Sequence, residues 1–335
     1  VHIAIGDEDG TITLFEKQNG RLIVVAEHKF EHKSDHPLGP PRLSFSQNGK
    51  RLLAVQKMTL KESGARRDEA IVFDVATRNE VFTKSTKYGD RYSSIAISPD
   101  GTRLAGIHRK DQIMPTRVFA TCTVWNIELQ TRTDKFNWGR YSDVLKAWFS
   151  PSSNDDMYIM AAGSITKLRI HEQSSESIDG PTPFRSAEET WAIDTEGLSL
   201  PSVSGVYGAG IIVSGDGSHV CALSRGFGFS GTIKAHIYSK VAGEDGVTEW
   251  DLRTIDTGER SYIKRTTTDD TVTNACLNEN GSRLAVPTPS GVAIWDTHAP
   301  ARESRLNAPI TALDFNPDGA SVTGLHGARL MEFKC

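Results

Sequence analysis

Nothing in this chain has the length and apolarity of a membrane-spanning helix, because every apolar run falls short of the roughly 18 residues that a bilayer demands. Cysteine is scarce: four in 335 residues, Cys122, Cys221, Cys276 and Cys335, with no Cys-x-x-Cys pair. That spacing supplies no zinc or dithiol motif. The first three lie inside strand-like runs, so reduced, packed thiols of a cytoplasmic (intracellular) protein are expected. The opening residues, VHIAIGDEDG, offer neither the basic segment nor the apolar core of a targeting peptide. Charge of neither sign dominates. With 38 Lys and Arg against 42 Asp and Glu the net charge is −4, which gives no global attraction for nucleic acid or an anionic membrane. Catalytic signatures are missing too: there is no Gly-x-Ser-x-Gly elbow, no phosphate loop and no His-Glu-x-x-His. No catalytic, cofactor-binding or metal-binding residue is nominated, and no cofactor is expected.

What the chain does have is one hairpin phrase, repeated with drifting spelling. An apolar strand, a Ser/Asn-Pro-Asp-Gly-like turn and a second strand of Arg-Leu-Ala character recur as LSFSQNGKRLLAV from Leu43, IAISPDGTRLAGI from Ile95, IIVSGDGSHVCAL from Ile211, ACLNENGSRLAV from Ala275 and ALDFNPDGASVTGL from Ala312. A looser copy, AWFSPSSNDDMYIMAAG, starts at Ala147. In the second copy Pro99 presets φ for a turn, Asp100 can bond its own backbone, and Gly101 takes the positive-φ position. Gly49, Gly217, Gly281 and Gly319 hold the equivalent place. Asn280-Gly281-Ser282 has the form of a glycosylation triplet, but Asn-Gly is what such a turn requires. The flanking strands are almost continuously apolar, as expected for sheets covered on both faces. A period of roughly 40–60 residues built on hairpins predicts an all-β array of small sheets.

After each hairpin comes a further strand, and four strands end in an aromatic followed by Asp, Glu or Asn: Phe15-Glu16, Phe73-Asp74, Trp125-Asn126 and Trp295-Asp296. This combination resembles the WD-repeat β-propellers along essentially the whole chain. The resemblance implies four-stranded blades and a protein-binding scaffold. The Gly-His of that family's repeats and the turn Asp that pairs with it are absent, so apolar packing is expected to hold the blades together.

Four strands per blade give six complete units in a single domain spanning 1–335, with hairpins near 49, 101, 154, 217, 281 and 319. Residues 1–17 add the last two strands of a seventh, truncated blade. The expectation is a seven-bladed propeller whose missing strands lie upstream of Val1. The Ser-, Pro- and Glu-rich stretch at about 174–204 reads as an insertion, and Val241 to Asp270 as an enlarged blade.

Several local patterns have plainer readings than chemistry. Gly226-Phe227-Gly228-Phe229-Ser230-Gly231 spells a dinucleotide fingerprint, but the TIKAHIYSK that follows is a strand where that mechanism needs a helix. His28, His32 and His36 on an extended chain stand roughly 13 Å apart, too far to share an ion. Asp155-Asp156 and Asp269-Asp270 fall at turns. The most usable signal is a pair of long, charged segments, Gln56 to Ala70 and His108 to Phe119, read as loops between third and fourth strands on one face. They carry Lys57, Lys61, Arg66, Arg67, Arg109, Lys110 and Arg117, candidates for docking a protein partner through an acidic or phosphorylated segment. The expected function is a non-catalytic scaffold for protein–protein interactions within a larger protein. Alternatives are a lactonase- or peptidase-like propeller enzyme, or a phosphoinositide-binding propeller. Nucleic acid is not expected, because no aromatic residues interleave the cations.

Overall fold

The computed structural model describes residues 2–19, 21–30, 35–60, 63–87, 89–110, 120–138, 144–161, 164–170, 185–186, 197–199, 207–225, 232–242, 248–260, 275–288, 291–299, 302–306, 313–315, 319–326 and 329–334. Among them the regular structure is all strand, arranged as seven small sheets that follow one another along the chain. Sheet one is β1 (His2–Gly6), β2 (Thr11–Gln18) and β3 (Arg21–Lys29), in that order. In sheet two, β4 (Asp35–Pro37) and β5 (Arg42–Phe45) both pair with β6 (Arg51–Leu60), followed by β7 (Arg66–Asp74) and β8 (Glu80–Ser85). Sheet three runs β9 (Asp90–Ile97), β10 (Arg103–Lys110), β11 (Ala120–Asn126) and β12 (Thr131–Trp138). Sheet four has β13 (Val144–Phe149), β14 (Asp156–Ala161) and β15 (Ser164–Arg169). Two short pieces of the expected insertion are strands: β16 (Arg185–Ser186) lies parallel on β12, and β17 (Gly197–Ser199) lies antiparallel on β15. Sheet five is β18 (Tyr207–Val213), β19 (His219–Arg225), β20 (Thr232–Ala242) and the long β21 (Thr248–Arg260). Sheet six is β22 (Cys276–Leu277), β23 (Arg283–Thr288), β24 (Gly291–Asp296) and β25 (Arg302–Leu306), and sheet seven is β26 (Leu313–Phe315), β27 (Ser321–His326) and β28 (Arg329–Lys334). Sheet one therefore has a third strand, β3, beyond the two read from residues 1–17.

The repeated phrase folds the same way each time. Four copies close with one bond pattern: Ser46, Ser98, Ser214 and Asn278 each accept the N–H of the glycine three residues on, at 2.8–3.0 Å, and each donates its own N–H to the carbonyl five residues on. The same four side chains accept the N–H of Arg51, Arg103, His219 and Arg283 at 2.9–3.0 Å. Asn48, Asp100, Asp216 and Asn280 each take the N–H two residues ahead at 2.9–3.1 Å, the reason for an Asx residue before the glycine. The glycines at 49, 101, 217, 281 and 319 all have φ between +64° and +76°. Asn280 thus works in the turn, as its Asn-Gly context indicated. The aromatic-acid endings are caps of the next turn: Asp74 accepts the Thr77 N–H at 2.7 Å, Asn126 that of Leu129 at 2.9 Å, and Asp296 that of His298 at 2.7 Å. The last strands of four sheets share an irregularity, because the register slips by one residue opposite Leu14/Phe15, Val72/Phe73, Val124/Trp125 and Ile294/Trp295.

The chain divides into two compact units: residues 1–149, 153–157 and 168–195, and residues 150–152, 158–167 and 196–335. In the first, Leu52, Ala54, Ile71 and Phe73 of sheet two face Ile12, Leu14 and Phe30 of the preceding segment. Alternate residues of the same strands, Leu53, Val55, Ala70 and Val72, pack with Tyr92, Leu104 and Trp125 of sheet three. Sheet two is covered on both faces, which is why Leu52-Leu53-Ala54-Val55 is apolar throughout. The second unit repeats this around sheet six, where Leu284, Val286, Ala293 and Trp295 pack with Leu223 and Ile237, and Ala285 and Ile294 with Val322. Three cysteines, Cys122, Cys221 and Cys276, are buried as free thiols, and burial pushes the Cys221 thiol well up.

Apolar packing is supplemented by bonds from turn to turn. Asn48 donates from Nδ2 to the Asp100 carbonyl at 2.7 Å and from its N–H to the Pro99 carbonyl at 3.1 Å. Asp100 N–H reaches Asn154 Oδ1 at 3.1 Å, and the Arg103 guanidinium pairs with Asp155. In the second unit Asp216 N–H reaches the Glu279 carbonyl at 2.9 Å, and Arg283 the Gly319 carbonyl at 3.3 Å. Apolar packing, expected to be the main tie between blades, is thus joined by bonds between successive turns.

Candidate functional site

The segment from Gln56 to Ala70, expected to be a loop, is mostly strand. β6 and β7 stay paired to their ends, with Lys57 opposite Asp68, Met58 opposite Arg67 and Thr59 opposite Arg66. These are the second and third strands of the sheet, not the third and fourth. The same correction holds for β10 and β11, where Arg109 pairs with Ala120. Charge did not prevent pairing: Lys57 has Asp68 opposite it, a favourable cross-strand pair. Strand alternation sends Lys57 and Arg66 to one side of the hairpin and Arg67 to the other. Lys57 and Arg67 are half-buried, and Arg66 is exposed. Arg109 and Lys110 occupy the last positions of β10, opposite Arg91 and Asp90 of β9. Lys61 and Arg117 lie outside the described residues.

Between the ends of sheets two and three sits a carboxylate that the sequence reading passed over. Asp68 is 1% exposed, and its Oδ2 accepts the Tyr92 N–H at 2.8 Å. Burial raises its pKa, while the bond from Tyr92 and the fields of Arg42, Lys57 and Arg91 pull it down. Arg42 reaches this place because it pairs with Val55, which puts it on the Lys57 and Asp68 side of the sheet. The connection from β8 to β9 wraps over β7, with Thr86 N–H on the Asp68 carbonyl and Gly89 N–H on the Arg66 carbonyl, both at 2.8 Å. Buried atoms without a hydrogen-bond partner gather near this end: Asp68 Oδ1, Arg42 Nη2 and Tyr92 Oη. The Tyr92 hydroxyl is pushed far up by burial and then by Asp68. On the opposite face of sheet two, buried Gln56 donates to the Gly39 and Lys57 carbonyls, both at 2.9 Å, and Ser85 donates to Glu69 at 2.9 Å. No local signal marked Asp68, which stands between the charged residues Arg67 and Glu69 in the sequence.

Among the described residues these strand ends carry Arg42, Lys57, Arg66, Arg67, Arg91, Arg109 and Lys110 against Asp35, Asp68, Glu69 and Asp90, seven cations to four anions in a chain of net charge −4. A cavity of about 160 Å³ elsewhere in the same unit has the opposite character. Ile12, Leu14, Leu52 and Phe73 form its apolar floor, Glu27, Asp74 and Glu80 stand at its rim, and His28 lies 3.5 Å from Glu80.

No family model matches this chain, and no curated protein matches it. Among solved structures, 586 chains match; one is a functionally unknown protein from Desulfotomaculum acetoxidans, with a TM-score of 0.53 and 13% identity over 91% of this chain and 81% of that one. The likeness is one of fold.

His28 is on β3 and His36 on β4, in different sheets, while His32 lies outside the described residues. Among the described residues no three His, Cys, Asp or Glu gather to hold a metal ion, and no helix is long and apolar enough to cross a membrane. Asp155 pairs with Arg103, and Asp156 with Arg169 at 3.0 Å. Gly226 to Gly231 and Asp269-Asp270 lie outside the described residues; the strand expected after the former is β20.

Proposed function

We propose that this chain is a seven-bladed β-propeller of the WD-repeat kind, acting as a non-catalytic intracellular scaffold that receives an acidic or phosphorylated segment of a protein partner. In support of the propeller are seven sheets in chain order, one turn chemistry used repeatedly, and the same register slip before β3, β8, β12 and β25. The observation that carries the docking reading is the cation excess at the ends of β6, β7, β9 and β10, where Arg42, Lys57 and Arg91 surround a single buried carboxylate. An anionic segment laid across these ends would be drawn by that excess, and phosphate suits arginine by forked hydrogen bonding.

A labelled peptide bearing phosphoserines among glutamates, titrated by fluorescence anisotropy, tests this. Binding is expected to weaken at least tenfold between about 50 and 200 mM salt, and to vanish when Arg66, Arg67, Arg109 and Lys110 are all changed to Glu. Binding that survives the four reversals sinks the reading. Capture of phosphoinositide vesicles with no affinity for the peptide would replace a protein partner with a lipid surface.

A further inference from the structure

The outermost strands of these sheets differ in one respect. β8 reads EVFTKS and β25 RESRL, each broken by at least two charged residues. Such charges are how a sheet edge avoids recruiting another strand. β3 reads RLIVVAEHK and contains four consecutive branched apolar residues. It is the last strand of its sheet, with β2 on one side and no strand on the other among the described residues. Leu22, Ile23 and Val24 are 43%, 45% and 50% exposed, three successive members of the small set of large apolar side chains left open to water. Val25 and Ala26 pack against the apolar core, so it is at Leu22, Ile23 and Val24 that the strand is open on both faces and along its edge, offering backbone groups and apolar contact together.

The sequence of β3 also specifies what fits it. Two copies laid antiparallel about Val24 set Val24 against Val24, Ile23 against Val25 and Leu22 against Ala26. Arg21 then faces Glu27 at both ends, and Arg21 and Glu27 are both exposed. The strand is complementary to itself in apolar pattern and in charge, as an isologous two-fold interface requires. Lys29 at the far end is held by Asp9 at 3.2 Å and stays out of this register. The slip opposite Leu14/Phe15 adds twist to β3, and a two-fold pair brings two equally twisted strands together. We propose that β3 is a self-pairing edge through which two copies of this chain associate, joining their first sheets into one continuous sheet.

The interface is at the small end of those that persist, so association should depend on concentration over the micromolar range. Sedimentation velocity on the full chain is expected to show a monomer–dimer equilibrium. Val24→Lys should abolish the dimer without altering the circular dichroism spectrum, because the side chain is half exposed. Arg21→Glu should weaken association about tenfold by turning two attractive pairs into repulsive ones, and combining it with Glu27→Arg should restore it. A monomer at all concentrations, a dimer indifferent to Val24→Lys, or a charge swap that fails to rescue would each overturn the proposal.

Discussion

At the scale of single residues, Gly49 and Gly101 occupy the same place in the same turn, with φ of +68° and +76°, yet their surroundings differ. A Cβ at Gly49 meets nothing within 4 Å, whereas one at Gly101 would stand 2.5 Å from Arg51 Cγ and 3.1 Å from Arg51 Cβ. Those atoms are the root of a side chain held by its ion pair with Asp74 and cannot swing aside. Asparagine tolerates the left-handed region, so Gly49→Asn should cost under about 1 kcal/mol, and Gly101→Asn about 2 kcal/mol or more from overpacking. Urea unfolding midpoints of the two variants check this; equal losses would mean that backbone strain alone governs the turn. The turn glycines were legible because their requirement is local: four residues and a handedness. Asp68 was not, since its burial is set by Tyr92 and Arg42, which are 24 residues ahead and 26 behind in the chain and meet it only through the packing of sheets two and three. Removing it by Asp68→Ala strands the Tyr92 N–H and leaves Arg42, Lys57 and Arg91 facing one another, a loss of about 1–3 kcal/mol. Asp68→Asn keeps an acceptor for that N–H and removes the cost of burying a charge, so its unfolding midpoint should stay closer to that of the parent.

Among the elements, the hairpins were readable from Ser/Asn-x-Asn/Asp-Gly because side chain and backbone close the turn within six residues. The β6–β7 extension was not. Its strands carry lysine and arginine where propensity suggests a loop, and pairing there is decided by partners across the ladder. The β18–β19 hairpin shows a consequence of reusing one position for different residues: His219 stands where Arg51, Arg103 and Arg283 stand in the other copies. Its ring lies edge-on to His298 at 5.8 Å, and its Nδ1 is 2.6 Å from Ser218 Oγ. Burial lowers its pKa from the ordinary 6.5, with Asp216 opposing and His298 assisting; Arg253 also reaches this junction through the His298 carbonyl. Buried His236, beside Thr254 at 3.0 Å, is lowered in the same way, by burial and then by Lys234. For both, the unfolded chain binds protons at a higher pH than the folded one. Stability is therefore unaffected above 6.5 and falls as pH drops from 6.5 toward the folded values. Thermal unfolding between about pH 7.5 and 5 should show this decline, shallower in His219→Gln and shallower again when His236→Gln is added. An unchanged slope in the double variant would place the acid sensitivity elsewhere.

For the whole molecule, the repeat makes packing a succession of shared faces. Each apolar cluster belongs to two neighbouring sheets, and the clusters around sheet two and around sheet six have no member in common. The period announced this arrangement in the sequence, because a hairpin that is apolar on both faces needs a neighbour on each. What the period could not announce is how far a defect travels, since that depends on whether bonds such as Asn48 to Asp100 and Asp216 to Glu279 bind sheets more tightly than the strands are bound within them. Leu104 is fully buried between sheets two and three, so Leu104→Ala should leave a cavity costing about 2–5 kcal/mol. If stability is built from neighbouring faces, hydrogen exchange in that variant should accelerate in β6, β7, β10 and β11, which line the cavity or adjoin it, while β23 and β24 keep their protection. Equal acceleration in β23 and β24 would mean that the chain opens as one cooperative body, and that the turn-to-turn bonds transmit what the apolar faces do not.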